Sequence, residues 1–241
     1  MPPSNTLLPV PNRTVPFWLC EVDPLLQRHR TTAELPRSPV DVVVVGSGLS
    51  GNLTAYHLLK KDPSLKVVMV EADDWCSGAT ARNGGHCKPM TYFGYEEERK
   101  MRGARTANDM LVFEESHLAR YAALVEAEDI DCDLHVTRAC DVFFDEAEAQ
   151  AGQSAFRARK RDFPQSVAAG DLREISDPRE LERISGMKGG FWGITYPAGH
   201  LWPYKLAAGR ESARMCFLNR TTPPLTGGSL HQSLRSTSRQ G

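Results

Sequence analysis

Three glycines and one acidic residue have the spacing of a unit that binds phosphate and ribose. Gly46, Gly48 and Gly51 directly follow a run of four valines at residues 42–45, and Glu71 stands twenty positions after the last glycine. Glycines in this pattern permit a tight turn, close approach of the backbone to a pyrophosphate, and close packing of a helix on a sheet. An acid at this distance accepts a hydrogen bond from a ribose 2′-hydroxyl. The pattern predicts a site for an adenine dinucleotide with an unmodified ribose, NAD or FAD in preference to NADP.

The elements that must position these residues form one βαβ unit. A continuous β-branched run bounded by glycines is typical of a parallel-sheet strand that is buried on both faces. We expect a helix from about residue 50 to 61, because Asp62 and Pro63 end it, and a second apolar strand over 65–70. The first N–H groups of such a helix have no intrahelical partner and point at an anion in the turn. A chance glycine turn in another α/β protein is the weaker alternative.

A second informative stretch follows the acid. Small residues and glycines crowd residues 77–85, and Arg82 and Asn83 stand among them. A loop at this point of a dinucleotide fold runs along the cofactor from its adenosine end towards its reactive end. Because Gly84 and Gly85 carry no side chains, we expect their backbone to approach a flat ring, and Arg82 or Asn83 to contact the pyrophosphate.

Together these motifs resemble the FAD-dependent group of D-amino-acid oxidase, glycine oxidase and γ-glutamylputrescine oxidoreductase. Residues 46–51 (Gly-Ser-Gly-Leu-Ser-Gly), Glu71 and residues 78–86 (Gly-Ala-Thr-Ala-Arg-Asn-Gly-Gly-His) carry the resemblance, and its Arg-Asn-Gly-Gly-His part is closest to the γ-glutamylputrescine oxidoreductase-like branch. The resemblance implies FAD, which the glycine unit alone does not decide. It also implies an α/β fold, with a partial Rossmann-like FAD-binding domain and a partial, interleaved α+β substrate domain. The cofactor contacts expected on this basis are Gly46, Ser47, Gly48, Leu49, Ser50, Gly51, Glu71, Ala72, Ala79, Arg82, Asn83, Gly84 and Gly85.

The reaction implied by the resemblance is oxidation of a C–N bond in a small amine or amino acid, with hydride transfer to the flavin and reoxidation by O₂. Two alternatives remain open. One is a truncated, non-catalytic fragment of such an enzyme; the other is an NAD-dependent dehydrogenase, which gives no reason for residues 82–85. No catalytic residue is assigned. Tyr196, His200 and Trp202 either line a substrate cavity or pack a domain junction, and the sequence offers no partner for His200 as a general base.

Composition argues against several other classes. A formal net charge of −1 gives no electrostatic case for nucleic acid or an anionic membrane. No apolar run approaches the ~18 residues needed to span a bilayer. The N-terminus lacks the pattern of a secretory signal, and the six cysteines form no C-x-x-C pair, so we expect a cytoplasmic protein with reduced thiols. The seven histidines show no convincing ligand spacing, so we expect no metal.

The chain divides into four predicted parts. Residues 1–39, with eight prolines, form an extended arm. Residues 40–130 form the first part of the FAD-binding domain and include an amphipathic helix, kinked once, from Tyr95 onwards. Residues 131–200 are a substrate-domain segment with strands at 131–144 and 191–196 and a solvated helix between them. Residues 201–241 are a return helix and a tail whose composition predicts disorder.

Only two strands of the expected parallel sheet are recognisable, at 41–45 and 65–70. An open dinucleotide sheet usually has about five or six strands. Because the composition also changes abruptly after Lys205, we expect a C-terminally shortened member of the group, with weak flavin retention and little turnover.

Overall fold

The structure is a computed structural model, and it describes residues 13–27 and 34–209 of the chain. These residues form two compact units. The first contains the described residues up to 84, residues 127–132 and residues 202–209; the second contains residues 85–126 and 133–201. The chain therefore enters the second unit twice and returns twice. This agrees with the interleaved α/β fold that the resemblance implies, although the sequence indicated only one such segment, at 131–200.

Six strands and seven α-helices are described, in mixed order along the chain. They are β1 (Val42–Val45), α1 (Leu49–Lys61), β2 (Val67–Val70), β3 (His86–Cys87), α2 (Tyr95–Arg102), α3 (Ala104–Ala127), β4 (His135–Phe143), α4 (Glu146–Asp162), α5 (Pro164–Ala169), β5 (Arg173–Ile175), α6 (Pro178–Ser185), β6 (Trp192–His200) and α7 (Pro203–Ala208).

The first unit is built on β1, α1 and β2. The two strands pair in parallel, from Val42 beside Val67 to Val45 beside Val70. Helix α1 packs Ala55 against the strands in an apolar core. The predicted order of strand, glycine turn, helix and strand is confirmed, with element ends within two residues of those expected.

The prediction that β1 is buried on both faces is wrong. Val44 faces the core and is 8% exposed, whereas Val43 is 56% and Val45 81% exposed. All four residues of β2 are buried. Helix α1 covers one face of the pair, and the described residues contribute no third strand to this sheet. A run of β-branched residues therefore predicted the strand correctly, but not what covers it.

The described part of the N-terminal arm packs on α7 in the same unit. A 3₁₀ turn at Phe17–Leu19 places the Trp18 ring edge-on to the ring of Trp202, 5.4 Å away. The Trp202 indole N–H donates to the Trp18 carbonyl over 2.9 Å. Helix α7 begins at Pro203, as predicted. Residues 1–12 and 28–33 of the predicted arm, and the tail predicted to be disordered from residue 210 onwards, lie outside the described residues.

The second unit is built around β6. Strand β4 pairs antiparallel with the whole of β6, and β3 and β5 pair with its other edge. The buried side chains of Trp192, Ile194 and Tyr196 form a core with Phe156 of α4. Both strands predicted in this region are confirmed. Helices α2 and α3 replace the single kinked helix, because Gly103 between them has a φ of +84°.

The prediction that residues 145–162 form a solvated helix is wrong in part. Phe156 is 1% exposed and Arg159 is fully buried. Small residues on one side of α4 permit this burial; a Cβ at Gly152 would lie 2.9 Å from the Trp192 ring. The sequence has no broad apolar stripe here because glycine and alanine form much of the contact face.

Residues 85–126 belong to the second compact unit, although the sequence analysis placed them in the FAD-binding domain. The reason is that β3 pairs with β6, and a Cβ at Gly199 of β6 would lie 2.9 Å from Leu118 of α3. The four predicted functional domains themselves stay predictions. Within the described part of the chain, no helix combines the length and the apolar character that crossing a bilayer requires.

Candidate dinucleotide-binding site

The glycine turn between β1 and α1 has the geometry that its sequence predicts. Gly46 has a φ of +97°, and its N–H donates to the Val70 carbonyl over 2.8 Å. A Cβ at Gly51 would lie 2.1 Å from the Gly46 carbonyl oxygen, so only glycine permits α1 to begin this close to the turn. A Cβ at Gly46 would meet no atom within 4 Å, which shows open space on that side of the turn.

The carboxylate of Glu71 lies beside this turn. One of its oxygens accepts from the Ser47 backbone N–H over 2.7 Å and from the Ser47 hydroxyl over 2.6 Å. The other accepts from the backbone N–H groups of Ala72 and Asp73 over 2.8 and 3.0 Å. An ionised carboxylate has about four acceptor sites, and the protein uses all of them. A ribose hydroxyl can therefore bind here only by sharing or replacing a donor, and the rotatable Ser47 hydroxyl is the easiest to replace.

The glycine-rich loop after Glu71 reaches the start of α1. Its 3₁₀ turn, Ala79–Ala81, carries the Thr80 hydroxyl, which accepts from the Leu49 N–H over 2.8 Å. Gly48, the N-cap residue of α1, makes no side-chain cap, so Thr80 supplies part of that function from a separate segment. This hydrogen bond thus joins the glycine turn to the glycine-rich loop, which are separate motifs in the sequence. Thr80 was not among the predicted contacts, since a threonine among small residues carries no signal of its own.

Arg82 and Asn83 are committed to contacts within the first unit. The Arg82 guanidinium donates to the Thr14 carbonyl over 2.8 Å, to the Thr14 hydroxyl over 3.1 Å and to the Ser77 carbonyl over 3.3 Å. The Asn83 amide donates to the carbonyls of Ala79 and Thr80, and the Trp18 indole donates to the Asn83 carbonyl over 2.6 Å. These contacts hold the loop and the arm together.

The two glycines that follow Asn83 differ in burial. Gly85 is buried and has a φ of +69°. Its carbonyl accepts from the Leu201 N–H over 3.0 Å. The backbone at this position therefore favours glycine for its conformation, and the expected approach of Gly84 and Gly85 to a flat ring stays a prediction. Gly84 is exposed.

A group of buried polar residues lies under the turn, and Ser47 alone among them was predicted as a cofactor contact. Ser47 is fully buried, and Asn52 and Cys76 are each 1% exposed. The Asn52 amide donates to the carbonyls of Ser47 and Gly48. The Cys76 backbone N–H donates to the Ser47 hydroxyl over 3.0 Å, and its thiol donates to the Ser47 carbonyl over 2.7 Å. Ser47 is therefore the centre of the hydrogen bonds that hold the turn.

Each of the three aromatic candidates downstream has its own surroundings. Trp202 belongs to the apolar core of the first unit. Tyr196 lies in the core of the second unit, where its hydroxyl donates to Asp141 over 3.0 Å, and burial together with that carboxylate raises the pKa of the phenol. His200 is exposed, and its ring stacks 4.9 Å from the ring of His135 on the neighbouring strand. Among the residues that the structure describes, no general-base partner for His200 is found.

The second unit has a cleft of about 470 Å³, in which Lys88, Tyr92 and Asp141 contribute polar groups beside Tyr196. The Asp141 carboxylate accepts from Lys88 over 2.6 Å and from the Tyr92 hydroxyl over 3.1 Å. Within residues 13–27 and 34–209, no group of three or more histidine, cysteine or acidic side chains is arranged to hold a metal ion.

Comparison with solved structures finds the same fold. L-amino acid deaminase from Proteus vulgaris, with its specific insertion deleted, shares 19% identity at a TM-score of 0.59; the match covers 81% of this chain and 46% of that one. Glycine oxidase from Bacillus cereus shares 15% at a TM-score of 0.53, covering 77% and 46%. L-α-glycerophosphate oxidase from Mycoplasma pneumoniae, solved with FAD bound, shares 16% at 0.52, covering 76% and 44%. The chain spans less than half the length of these structures.

A search of curated protein sequences gave no match. A family profile described as "FAD dependent oxidoreductase" (DAO) matches residues 41–214. The residues present fit the cofactor of that family: the strand, the glycine turn with its open side and the acid at the end of β2 form a cradle for the ADP half of a dinucleotide. The cofactor is thus FAD rather than NAD, and the chain belongs to the DAO family of FAD-dependent oxidoreductases.

Proposed function

We propose that this chain binds FAD by its ADP half and is the cofactor-binding part of an oxidoreductase that acts on a C–N bond of a small amine or amino acid. The observation that carries the proposal is the Glu71 carboxylate, held beside the glycine turn by both donors of Ser47. Two of the similar structures, an L-amino acid deaminase and a glycine oxidase, support the substrate class by their names. The run at residues 82–86 supports a relation to the γ-glutamylputrescine oxidoreductase-like branch.

The proposed contacts follow the path of the chain. The Gly48 N–H and the N–H groups of Ser50 and Gly51 at the start of α1 bind the pyrophosphate, because the N-terminus of a helix attracts anions. Glu71 accepts from the ribose, and the loop from Ala79 onwards runs along the pyrophosphate and towards the flavin. The residues in this proposed site are Gly46, Ser47, Gly48, Leu49, Ser50, Gly51, Glu71, Ala72, Ala79, Arg82, Asn83, Gly84 and Gly85.

The contacts of Arg82 add a condition to this proposal. Its guanidinium is bound to Thr14 and Ser77. For Arg82 to contact a pyrophosphate it must exchange the Thr14 contacts for the phosphate oxygens. A guanidinium binds phosphate more strongly than a neutral carbonyl, since with phosphate both the donor and the acceptor are charged.

When bound, FAD supplies the hydride acceptor for the oxidation. The described residues supply binding and orientation. The dipole of α1 favours the negative pyrophosphate at the start of the helix, and Glu71 binds the ribose. No described residue is assigned to proton transfer.

A second candidate is FAD binding without turnover. It is favoured by the exposed face of β1, where no described residue forms a layer over Val43 and Val45 and which a complete dinucleotide fold buries. The hypothesis of a C-terminally shortened family member belongs with this candidate and stays a prediction. Transcript sequence across codons 205–210 tests it.

The visible spectrum of the purified chain, reconstituted with FAD and freed of excess, tests both candidates. A yellow chain whose flavin absorbance bleaches anaerobically on addition of an amine or amino acid supports the first candidate. A yellow chain that is bleached by dithionite and by none of a panel of amines and amino acids supports the second. A folded chain that stays colourless and does not quench FAD fluorescence contradicts both.

A further inference from the structure

One buried asparagine bonds to the backbone of the glycine turn. Asn52 lies in the first turn of α1 and is 1% exposed. Its side-chain nitrogen donates to the Ser47 carbonyl and, over 3.2 Å, to the Gly48 carbonyl. A single side chain therefore holds two consecutive carbonyls of the turn.

These hydrogen bonds also determine where the N–H groups of the two peptides point. A trans peptide is planar, so its N–H points away from its own C=O. Because the Ser47 and Gly48 carbonyls point at Asn52, the N–H groups of Gly48 and Leu49 point the other way. The Leu49 N–H indeed meets the Thr80 hydroxyl over 2.8 Å on that other side. The Gly48 N–H is directed away from Asn52 by the same rule.

Stability alone does not account for an asparagine at this position. The Ser47 carbonyl also accepts from the Cys76 thiol over 2.7 Å, and the Gly48 carbonyl also accepts from the Asn52 backbone N–H over 3.0 Å. Removing the amide therefore leaves neither carbonyl unsatisfied. The carbonyl oxygen of the Asn52 side chain is itself buried without a hydrogen-bond partner among the described residues, which costs stability.

We infer that Asn52 is a positioning residue for the dinucleotide: it fixes the Ser47 and Gly48 peptides so that the Gly48 N–H faces the pyrophosphate. The inference rests on the proposed binding of FAD. It extends the site beyond the glycines and the acid to a residue that does not itself touch the cofactor.

The test compares Asn52→Leu, which keeps the side-chain size and removes the donor, with Tyr56→Phe. Tyr56 is 2% exposed on the same helix, and its hydroxyl bonds to Glu128, away from the turn. We expect Asn52→Leu to raise the Kd for FAD and for ADP about tenfold, or about 1.4 kcal/mol. The melting temperature of the cofactor-free chain and the Kd for adenosine, which lacks the pyrophosphate, should change little. Tyr56→Phe should leave all three affinities unchanged.

Several results would contradict the positioning role of Asn52. Equal FAD affinity in wild type and Asn52→Leu overturns it while leaving the proposed function intact. An equal loss for ADP and adenosine also overturns it, because the effect would then not pass through the pyrophosphate. If Asn52→Leu does not fold, Asn52→Ala, which removes the donor and adds neither bulk nor charge, takes its place; failure of both to fold overturns the inference, because it shows a role in folding instead. A wild-type chain that binds neither FAD nor ADP removes the proposed function and the inference with it.

Discussion

The Ser47 hydroxyl donates to the Glu71 carboxylate over 2.6 Å, across a sequence separation of 24 residues. The same hydroxyl accepts from the Cys76 N–H over 3.0 Å. Ser47 therefore links the glycine turn, the end of β2 and the loop that follows. The acid expected to bind ribose is held in place before any ligand arrives, and preorganisation of this kind reduces the ordering cost of binding.

The first prediction concerns Glu71→Gln. Each oxygen of the Glu71 carboxylate accepts from backbone N–H groups, but an amide has only one oxygen. In the variant, the NH₂ group must therefore face one set of these donors and cannot accept from them. We expect the Kd for FAD to rise about tenfold or more, and the free energy of unfolding to fall by about 1–3 kcal/mol. Fluorescence titration with FAD and urea denaturation measure the two effects.

Glu128→Gln is the matched control for Glu71→Gln. Glu128 is a partly buried carboxylate of the same unit, bonded to Tyr56 and Lys60 rather than to the turn. Its replacement should leave the Kd for FAD unchanged. Equal FAD affinity in the Glu71 variant and wild type would remove Glu71 from the proposed site.

The second prediction concerns the third glycine of the turn. Gly51→Ala places a Cβ 2.1 Å from a backbone oxygen that no side-chain rotation can move. We expect a loss of about 3 kcal/mol or more in the free energy of unfolding, since helix and turn must separate. Thr54→Ala, at an exposed position of the same helix, should change it by less than about 0.5 kcal/mol. A Gly51→Ala chain as stable as wild type would show that the turn is looser than described.

The local βαβ unit was predictable because its signals are local. Glycine spacing, an apolar run and a proline each act within a few residues of where they stand, so the ends of β1, α1 and β2 were close to expectation. The contacts of Arg82 were not predictable. Its partner Thr14 lies 68 residues away in an arm without periodicity. The sequence of neither segment therefore indicates that the two are in contact. The role of Asn52 was hidden for a different reason: its position in the helix is known from sequence, but its partners depend on how the turn folds back.

The third prediction concerns the arm and the loop that it holds. Trp18→Phe keeps an aromatic ring against Trp202 but removes the 2.6 Å hydrogen bond to the Asn83 carbonyl. We expect faster amide hydrogen exchange at residues 82–84, because the loop loses one of its attachments to the arm. Mass spectrometry of peptides from this region measures it. Phe17→Leu, in the same 3₁₀ turn but 67% exposed, is the control and should leave the exchange unchanged. Exchange that is unaltered in Trp18→Phe would show that this hydrogen bond does not hold the loop.

The fourth prediction concerns alkaline pH. Burial raises the pKa of Tyr95 to about 12, and its hydrogen bond to Asp162 adds to the effect. A folded-state pKa above the unfolded value near 10 contributes stability that is complete below pH 10 and is lost as the pH rises towards 12. Burial is also the largest cause of a raised pKa at the other five tyrosines, which are Tyr56, Tyr92, Tyr121, Tyr196 and Tyr204.

Tyrosinate absorbance, followed together with circular dichroism, measures the alkaline effect. We expect the absorbance to rise only above pH 10 and together with loss of helical signal, because ionisation and unfolding are coupled. Tyr95→Phe should flatten the fall in unfolding free energy between pH 10 and 12. Ionisation of all six tyrosines near pH 10 in a chain that keeps its helical signal would contradict the prediction.

The fifth prediction separates a buried ion pair from an exposed one on the same helix. The Arg159 guanidinium is fully buried, forks onto both oxygens of Glu115 and also donates to Asn108 and the Thr91 carbonyl. Arg159→Met strands the Glu115 carboxylate beside the core, and we expect a loss of about 3–5 kcal/mol in the free energy of unfolding. Arg157, two residues earlier, pairs with Glu174 from a side chain that is 58% exposed, so Arg157→Met should cost less than about 1 kcal/mol.

Urea denaturation of Arg159→Met with Glu115→Gln added completes the test. Neutralising the stranded carboxylate should recover part of the loss, because the larger cost lies in an unpaired buried charge rather than in the missing attraction. If the double variant is no more stable than Arg159→Met, the loss comes instead from the packing of the guanidinium against α3 and from its bonds to Asn108 and Thr91. The two outcomes separate an electrostatic role of Arg159 from a scaffolding one within the second unit.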